Sequence, residues 1–403
     1  MIRAAQIVYD CIPNAGSDPG IGWHSVVCAS KAGFEVHAFT KASNQAGIES
    51  VAPLRNVTWH FVDAPSVPWP LKPGRSLGDT VHLARWLLEA EPILAGLARN
   101  DQIDLTHFVT FTAHWMPVPL SNIDLPHVFG PVGGGEQSPP PLLDKTVDRV
   151  SALSRDAFQG SLTRTRTWNR LLKSRRTLVI SGSSATTERL QDRGVDVYET
   201  WRTGCLPETL IAQMDEVVPE QFDTTTIVMS GRQLRWKGHD IAIDSMPLVL
   251  ERLDDAQLLI LGEGPEHNNL RRKVAEAGLS NDVIFRGKVD RDEERRLIAG
   301  ADCFLFPSRR DTGSTLVPLV QVMGVPIAAF ATGALPEATG GFASLAEPGG
   351  DSSPSASLAD AIVDAVNTPA QKLDEARSHA IDRFGEESAI AALQRWYAAA
   401  LDQ

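Results

Sequence analysis

The stretch Val228-Met229-Ser230-Gly231-Arg232-Gln233-Leu234-Arg235-Trp236-Lys237-Gly238 joins an apolar run to a glycine and then to closely spaced cations. Residues 226–230 read as a buried strand, Gly231 breaks it, and a helical pattern follows Gly238. A strand that feeds straight into a helix through a basic turn is half of a βαβ unit, so the sheet is expected to be parallel. At such a turn the backbone N–H groups and the helix dipole face the C-terminal edge of the sheet. An anion bound there gains Arg232 as a planar fork and Lys237 as a point charge. The alternative is a solvated basic loop, and Arg235 reads as its exposed cation.

Outward from this stretch the same alternation recurs. Residues 257–261, 283–285, 303–306 and 325–330 are short, apolar and separated by helical patterns. An earlier series at 4–9, 34–40, 57–62, 104–110, 127–129 and 177–181 repeats the design, with a loop at 13–22 and a helix at 23–32 closed by Gly33. The break around 203–225 separates the two series. The fold class expected is α/β, with two Rossmann-like, doubly wound parallel sheets facing a cleft. Residues 1–203 form the first domain and 204–385 the second. Residues 386–403 form an amphipathic helix, carrying Trp396 and Tyr397, that packs back on the first.

Composition narrows the function. Over 403 residues, 43% are hydrophobic and 22% charged, which excludes long disorder and fibrous architectures. Fifty acidic against 38 basic residues, net −12, give no general footprint for nucleic acid. No apolar run approaches the ~18 residues of a membrane span, and the opening residues read as a strand rather than a leader. Four scattered cysteines lack metal or redox spacing, which suggests a reduced, cytoplasmic protein.

Two further turns follow strands. Gly262-Glu263-Gly264-Pro265 would let a ligand approach the backbone, or is merely a turn. In Phe306-Pro307-Ser308-Arg309-Arg310-Asp311-Thr312-Gly313-Ser314-Thr315, the backbone of Thr312, Gly313 and Ser314 could donate to a diphosphate while Asp311 accepts from hydroxyls. Equally, Asp311 could cap the next helix. In the first half, Gly133, Gly134 and Gly135 follow a strand and, with Glu136, form an exposed, adaptable backbone loop facing the cleft, where it could donate N–H bonds.

In order, these pieces resemble the C-terminal half of a retaining, nucleotide-sugar-dependent glycosyltransferase of family 4, which has the two-domain GT-B fold. The set comprises Gly-Arg-x4-Lys-Gly, Gly-x-Gly-Pro, Val283 to Val289, Ala301 to Ser308, Gly324-Val325-Pro326 and Gly333 to Glu337. Residues 226–345 carry the resemblance best. It continues faintly through Gly20–Gly22, residues 34–37 and the Gly-Gly-Gly-Glu loop. It implies that Arg232 and Lys237 hold the donor diphosphate, with Gly22, Gly231 and Gly264 beside the donor. Arg286, Gly287 and Val289 would flank the nucleobase, and Asp311 would face the transferred sugar. His107 and Thr110 match a His-x-x-Thr-Phe pattern in relatives with that loop, although His107 also fits a satisfied core histidine. His24 and His114 are weaker candidates.

One position departs from the family. The second carboxylate of its Glu-x7-Glu pair, which holds the ribose, falls on Leu319. Either Gln321 or another group holds the ribose, or the donor is unusual, or catalysis is lost. The function expected is metal-independent transfer of a hexose from a UDP-, GDP- or dTDP-sugar to an acceptor hydroxyl or amine, without a cofactor. The alternative is an inactive relative that binds a sugar nucleotide as partner or regulator. A nicotinamide-dependent oxidoreductase is discarded, because Gly20-Ile21-Gly22 lacks the third glycine and the acidic partner of that fingerprint. The implied partners are a sugar nucleotide and an acceptor. The basic run Arg164 to Arg176 allows at most a weak peripheral membrane contact and otherwise reads as a solvated helix face.

Overall fold

The computed structural model describes residues 1–65, 76–116, 118–143, 146–201, 204–311 and 314–403. The chain divides into two compact units. The first contains Met1–Gly135, Ser154–Cys205 and Glu386–Gln403, and the second Glu136–Leu153 and Leu206–Gly385.

The first unit is built on seven strands: β1 (Arg3–Ile7), β2 (Glu35–Lys41), β3 (Val57–Val62), β4 (Leu105–Phe108), β5 (His127–Val132), β6 (Thr177–Ser181) and β7 (Glu199–Thr200). All pairings are parallel, in the order β3-β2-β1-β4-β5-β6-β7. Alternate residues of β1 enter different cores, Ala5 and Ile7 on one face and Ala4 on the other. A strand buried on both faces is predominantly apolar, and the buried polar exceptions here, such as Gln6 and His107, are hydrogen-bonded. The helix Glu386–Leu401 belongs to this unit. Its Leu393, Trp396 and Tyr397 are core residues, and the Tyr397 hydroxyl meets the Gln6 side-chain amide at 2.8 Å.

The second unit has six parallel strands: β8 (Thr226–Ser230), β9 (Gln257–Leu261), β10 (Val283–Gly287), β11 (Cys303–Phe306), β12 (Ile327–Phe330) and β13 (Ser344–Ala346). Their order is β10-β9-β8-β11-β12-β13. Ile227 and Met229 enter one core and Val228 the other. From β8 the chain winds outward to β9, and from β11 it winds the opposite way to β12. The loops after β8 and β11 therefore flank the topological switch point, where the helices diverge and open α/β sheets bind ligands.

The expected α/β class with two doubly wound parallel sheets is what the chain adopts, with three differences of detail. The short edge strands β7 and β13 were not anticipated. The helix expected at 23–32 spans Ser17–Lys31, because Pro19 and Gly20 suit a first turn and the glycines are needed for packing. Residues 136–153 cluster with the second unit rather than with 1–203. Leu142 enters that unit's core, and Asp148 pairs with Arg235 and Arg309. These are long-range contacts that no local pattern announces.

Candidate functional site

At the second unit's switch point, Gly231 ends β8 with φ +147°, and a Cβ placed on it would meet nothing within 4 Å. Glycine is required here by the backbone, and the space beside it is open. A short turn, Arg235–Lys237, leads to Gly238 at φ +77° and then to the helix His239–Leu250. A Cβ on Gly238 would collide with the Pro307 carbonyl oxygen, so glycine is what lets the loop after β8 touch the loop after β11. The Arg309 amide donates to the Trp236 carbonyl at 2.9 Å and fastens the same contact.

Lys237 and Asp311, one from each loop, meet there. The Lys237 ammonium lies 3.0 Å from Asp311 Oδ2, 4.5 Å from the Trp236 ring and 4.6 Å from the Phe306 ring. Two aromatic faces and a buried carboxylate hold the cation in place. The Asp311 carbonyl accepts from Ala334, and the helix Leu316–Val322 takes Ser314 Oγ on its Leu316 amide at 3.2 Å. Asp311 thus faces Lys237 while Ser314 serves the helix start. Arg232 is exposed and makes no ion pair among the described residues. Thr312 and Gly313 lie outside the described residues.

Arg235, expected to be the exposed cation, is instead half-buried and paired with both carboxylate oxygens of Asp148. Asp148 also takes Arg309 at 3.1 Å, and Arg309, almost fully buried, reaches Asp240 at 2.5 Å. Burial alone would raise the Asp148 carboxyl. The two guanidiniums outweigh that and hold it below the usual carboxylate range. The sequence shows Arg232 and Arg235 three positions apart, but the fold gives Arg235, together with Arg309 from the loop after β11, to a structural network and leaves Arg232 outside it.

The glycine turn after β9 serves packing. A Cβ on Gly262 would come 2.5 Å from the Gly231 carbonyl oxygen, and one on Gly264 would come 2.5 Å from that of Gln233. Gln233, fully buried, donates its side-chain amide to the Gly262 carbonyl at 2.7 Å and meets His267 at 3.0 Å. It zips the loops after β8 and β9 together, a role that its place between two candidate cations did not suggest. Further along, Arg286 is exposed and pairs with Glu293 at 2.7 Å. Gly287 closes β10 at φ +78°, and Val289 packs beneath the sheet. His239, directly after the Lys-Gly pair, was also missed. It is buried, burial pushes its pKa down to about 4, and neither ring nitrogen has a protein partner among the described residues.

Leu319 packs against an apolar cluster that includes Leu206, Met214 and Phe384. Gln321 is buried and donates to the Thr339 carbonyl at 3.0 Å. Both side chains are engaged in the unit's interior.

The remaining candidates lie in other surroundings. His107 is buried in the first unit, its Nδ1 2.9 Å from the Tyr397 hydroxyl and its Nε2 2.9 Å from the Gly130 carbonyl oxygen. Burial pushes its pKa down to about 4. With both nitrogens occupied, it has the geometry of a satisfied core histidine and not of an open acid–base group. Gly22 abuts the Asp10 carbonyl oxygen and the Thr110 methyl within the first unit. The Gly133 amide donates to Thr112 and the Gly135 amide to Thr186 Oγ1, which removes two of the loop's three donors from service. Gly134 has φ +86°. Glu136, although next in sequence, is buried and belongs to the second unit.

Residues 224–368 match the family described as glycosyl transferases group 1. A GDP-mannose-dependent monoacylated alpha-(1-6)-phosphatidylinositol monomannoside mannosyltransferase of Corynebacterium glutamicum is 33% identical over 42% of this chain and 45% of its own length. A 2-deoxystreptamine glucosyltransferase of Streptomyces kanamyceticus is 26% identical over 58% and 60%. The chain thus spans about half the length of the curated relatives it matches. The crystal structure of Anabaena HepE in complex with UDP and glucose superposes with a TM-score of 0.62 at 16% identity, covering 99% of this chain and 100% of that one. That likeness establishes the shared two-sheet GT-B fold.

Proposed function

We propose that the protein is a glycosyltransferase that moves a hexose from a nucleoside-diphosphate sugar to an acceptor hydroxyl or amine, with retained anomeric configuration and without a metal. The observation that carries this reading is the Lys237–Asp311 pair at the second unit's switch point, beside open Gly231 and exposed Arg232. The group 1 match over 224–368 and the named mannosyl- and glucosyltransferase relatives support it.

In this reading the diphosphate lies against Gly231 and takes Arg232 as a new partner. Lys237 is already held by Asp311 and two rings, so it meets the developing charge without reorganising. As the bond from the anomeric carbon to the diphosphate oxygen breaks, Arg232 and Lys237 neutralise the leaving group. The acceptor forms its new bond on the same face, and its proton passes to a diphosphate oxygen. Asp311 accepts from a hydroxyl of the transferred sugar. Leu319 offers nothing to the ribose, so that contact falls to other groups. The base of the donor is left open among uridine, guanosine and thymidine.

Calorimetry with UDP, GDP and dTDP tests the assignment directly. One of them should bind, and Lys237→Ala and Arg232→Ala should each raise its Kd by about 10- to 150-fold, the loss of one charge-assisted hydrogen bond. Unchanged affinity in both variants removes the phosphate site. Binding without donor hydrolysis or transfer favours a non-catalytic sugar-nucleotide binder.

A further inference from the structure

We propose that Cys28 and Cys205 are a modification site, a thiol pair that closes reversibly into a disulfide. They are 177 positions apart in the sequence, yet their sulfurs lie 3.7 Å apart in the first unit. Cys28 is buried on the helix Ser17–Lys31, and Cys205 is half-buried beside Gly204. A disulfide needs a separation of about 2.05 Å, so one or both side chains must move by about 1.7 Å in total. A cavity of about 60 Å³ adjoins both sulfurs, lined also by Ile21, His24, Trp201 and Trp396, and gives room for that rotation.

The two thiols differ in access, and that sets the order of events. The Cys205 hydrogen bond and burial together push the Cys28 thiol far up, so it is inert toward reagents in solution. Cys205 is the point of entry. With a low-molecular-weight disulfide such as oxidised glutathione as oxidant, the Cys205 sulfur attacks one of its sulfurs and releases one glutathione thiol. Cys28 Sγ then attacks Cys205 Sγ in the mixed disulfide, and its proton leaves with the second glutathione. Two protein thiols are oxidised to one disulfide, and one oxidant disulfide is reduced to two thiols. Glu386 and Lys31 are the charged groups that act on Cys28, they oppose one another, and His24 lines the cavity wall. The other two cysteines are internal controls. Cys11 and Cys303 are buried, and burial pushes the Cys303 thiol up to about 12.

The bond would tie the first unit's opening helix to Cys205, the last residue of that unit before the chain enters the second at Leu206. This inference stands whether or not the protein transfers sugars. The test equilibrates the native full-length chain with graded mixtures of reduced and oxidised glutathione, quenches with N-ethylmaleimide and maps peptides without reduction. The expected result is a Cys28–Cys205 cross-link at one equivalent, reversed by dithiothreitol, with Cys11 and Cys303 alkylated only after denaturation. Cys28→Ala should instead accumulate glutathione on Cys205, and Cys205→Ser should take up none. The cross-linked protein should also melt several degrees higher than the reduced one. A wild-type chain that halts at glutathionylated Cys205, or in which neither cysteine reacts before unfolding, overturns the proposal.

Discussion

Both units carry a lysine–aspartate pair near the C-terminal edge of the sheet, and the two pairs are wired differently. In the first unit, Lys41 closes β2 and meets Asp10, just after β1, at 2.8 Å. That pair joins neighbouring strands on one side of the switch point. In the second, Lys237 and Asp311 come from the loops after β8 and β11 and span it. In the first unit, Gly22 packs closely against the Asp10 carbonyl oxygen and the Thr110 methyl. The second keeps an open face at Gly231. One topology thus yields an ion pair on one side of the switch point in the first unit and an ion pair across it in the second, and the difference lies in a few loop residues and not in the sheet.

Acid should separate the units most strongly. Burial holds His24, His60, His107, His114 and His127 of the first unit at about 4, against His239 alone at that value among the described residues of the second. Between pH 6.5 and 4 the unfolded chain binds protons that these folded sites refuse, so stability falls as pH falls. The cost is at most about 1.4 kcal/mol per pH unit for each of the buried histidines and less for half-buried His60, whose shift solvent screens. We expect peptides of the first unit to lose hydrogen-exchange protection, corrected for intrinsic rate, at a higher pH than those of the second. Simultaneous loss would mean that the units do not differ in this way.

Glycine replacement comes next in size. Gly238→Ala combines a clash with the Pro307 carbonyl and a positive φ, for a loss of about 2–5 kcal/mol. Gly22→Ala carries only the clash with Asp10, about 1–3 kcal/mol. Denaturant melts should rank them in that order, and only Gly238→Ala should also weaken nucleoside diphosphate binding. An equal effect of both on nucleotide affinity would erase the distinction between the two switch points.

The smallest effect sharpens the open edge itself. Leu319→Glu places a carboxylate against Met214 and Phe384, at about 1–3 kcal/mol, a melting loss of about 2–10 °C. Nucleotide affinity should not rise. A gain in affinity would show that this side chain can reach the ribose after all.

The fold was legible because two-sided burial writes most of the parallel strands as predominantly apolar runs, and glycines mark where the chain turns. The edge strands β7 and β13 are two and three residues long, too short to impose a pattern. Arg232 and Lys237 were legible as a local basic motif, but which arginine stays open was not. That is decided by Asp148, 87 positions from Arg235. His107 was a candidate through the family resemblance, beside the reading of a satisfied core histidine, and its two nitrogens meet the Gly130 carbonyl oxygen and the hydroxyl of Tyr397, 290 residues away. In each case the missing information is a long-range partner.

The placement of Trp396 and Tyr397 in the first unit's core also bears on the order of events during synthesis. A ribosome delivers β1 to β7 early, yet the helix that seals one face of their sheet emerges only after the second unit's Leu206–Gly385. The second unit is complete once Gly385 has left the exit tunnel. The second unit is therefore the first able to reach its native core, and the first unit, although encoded earlier, must wait, with apolar surface uncovered, for the helix Glu386–Leu401.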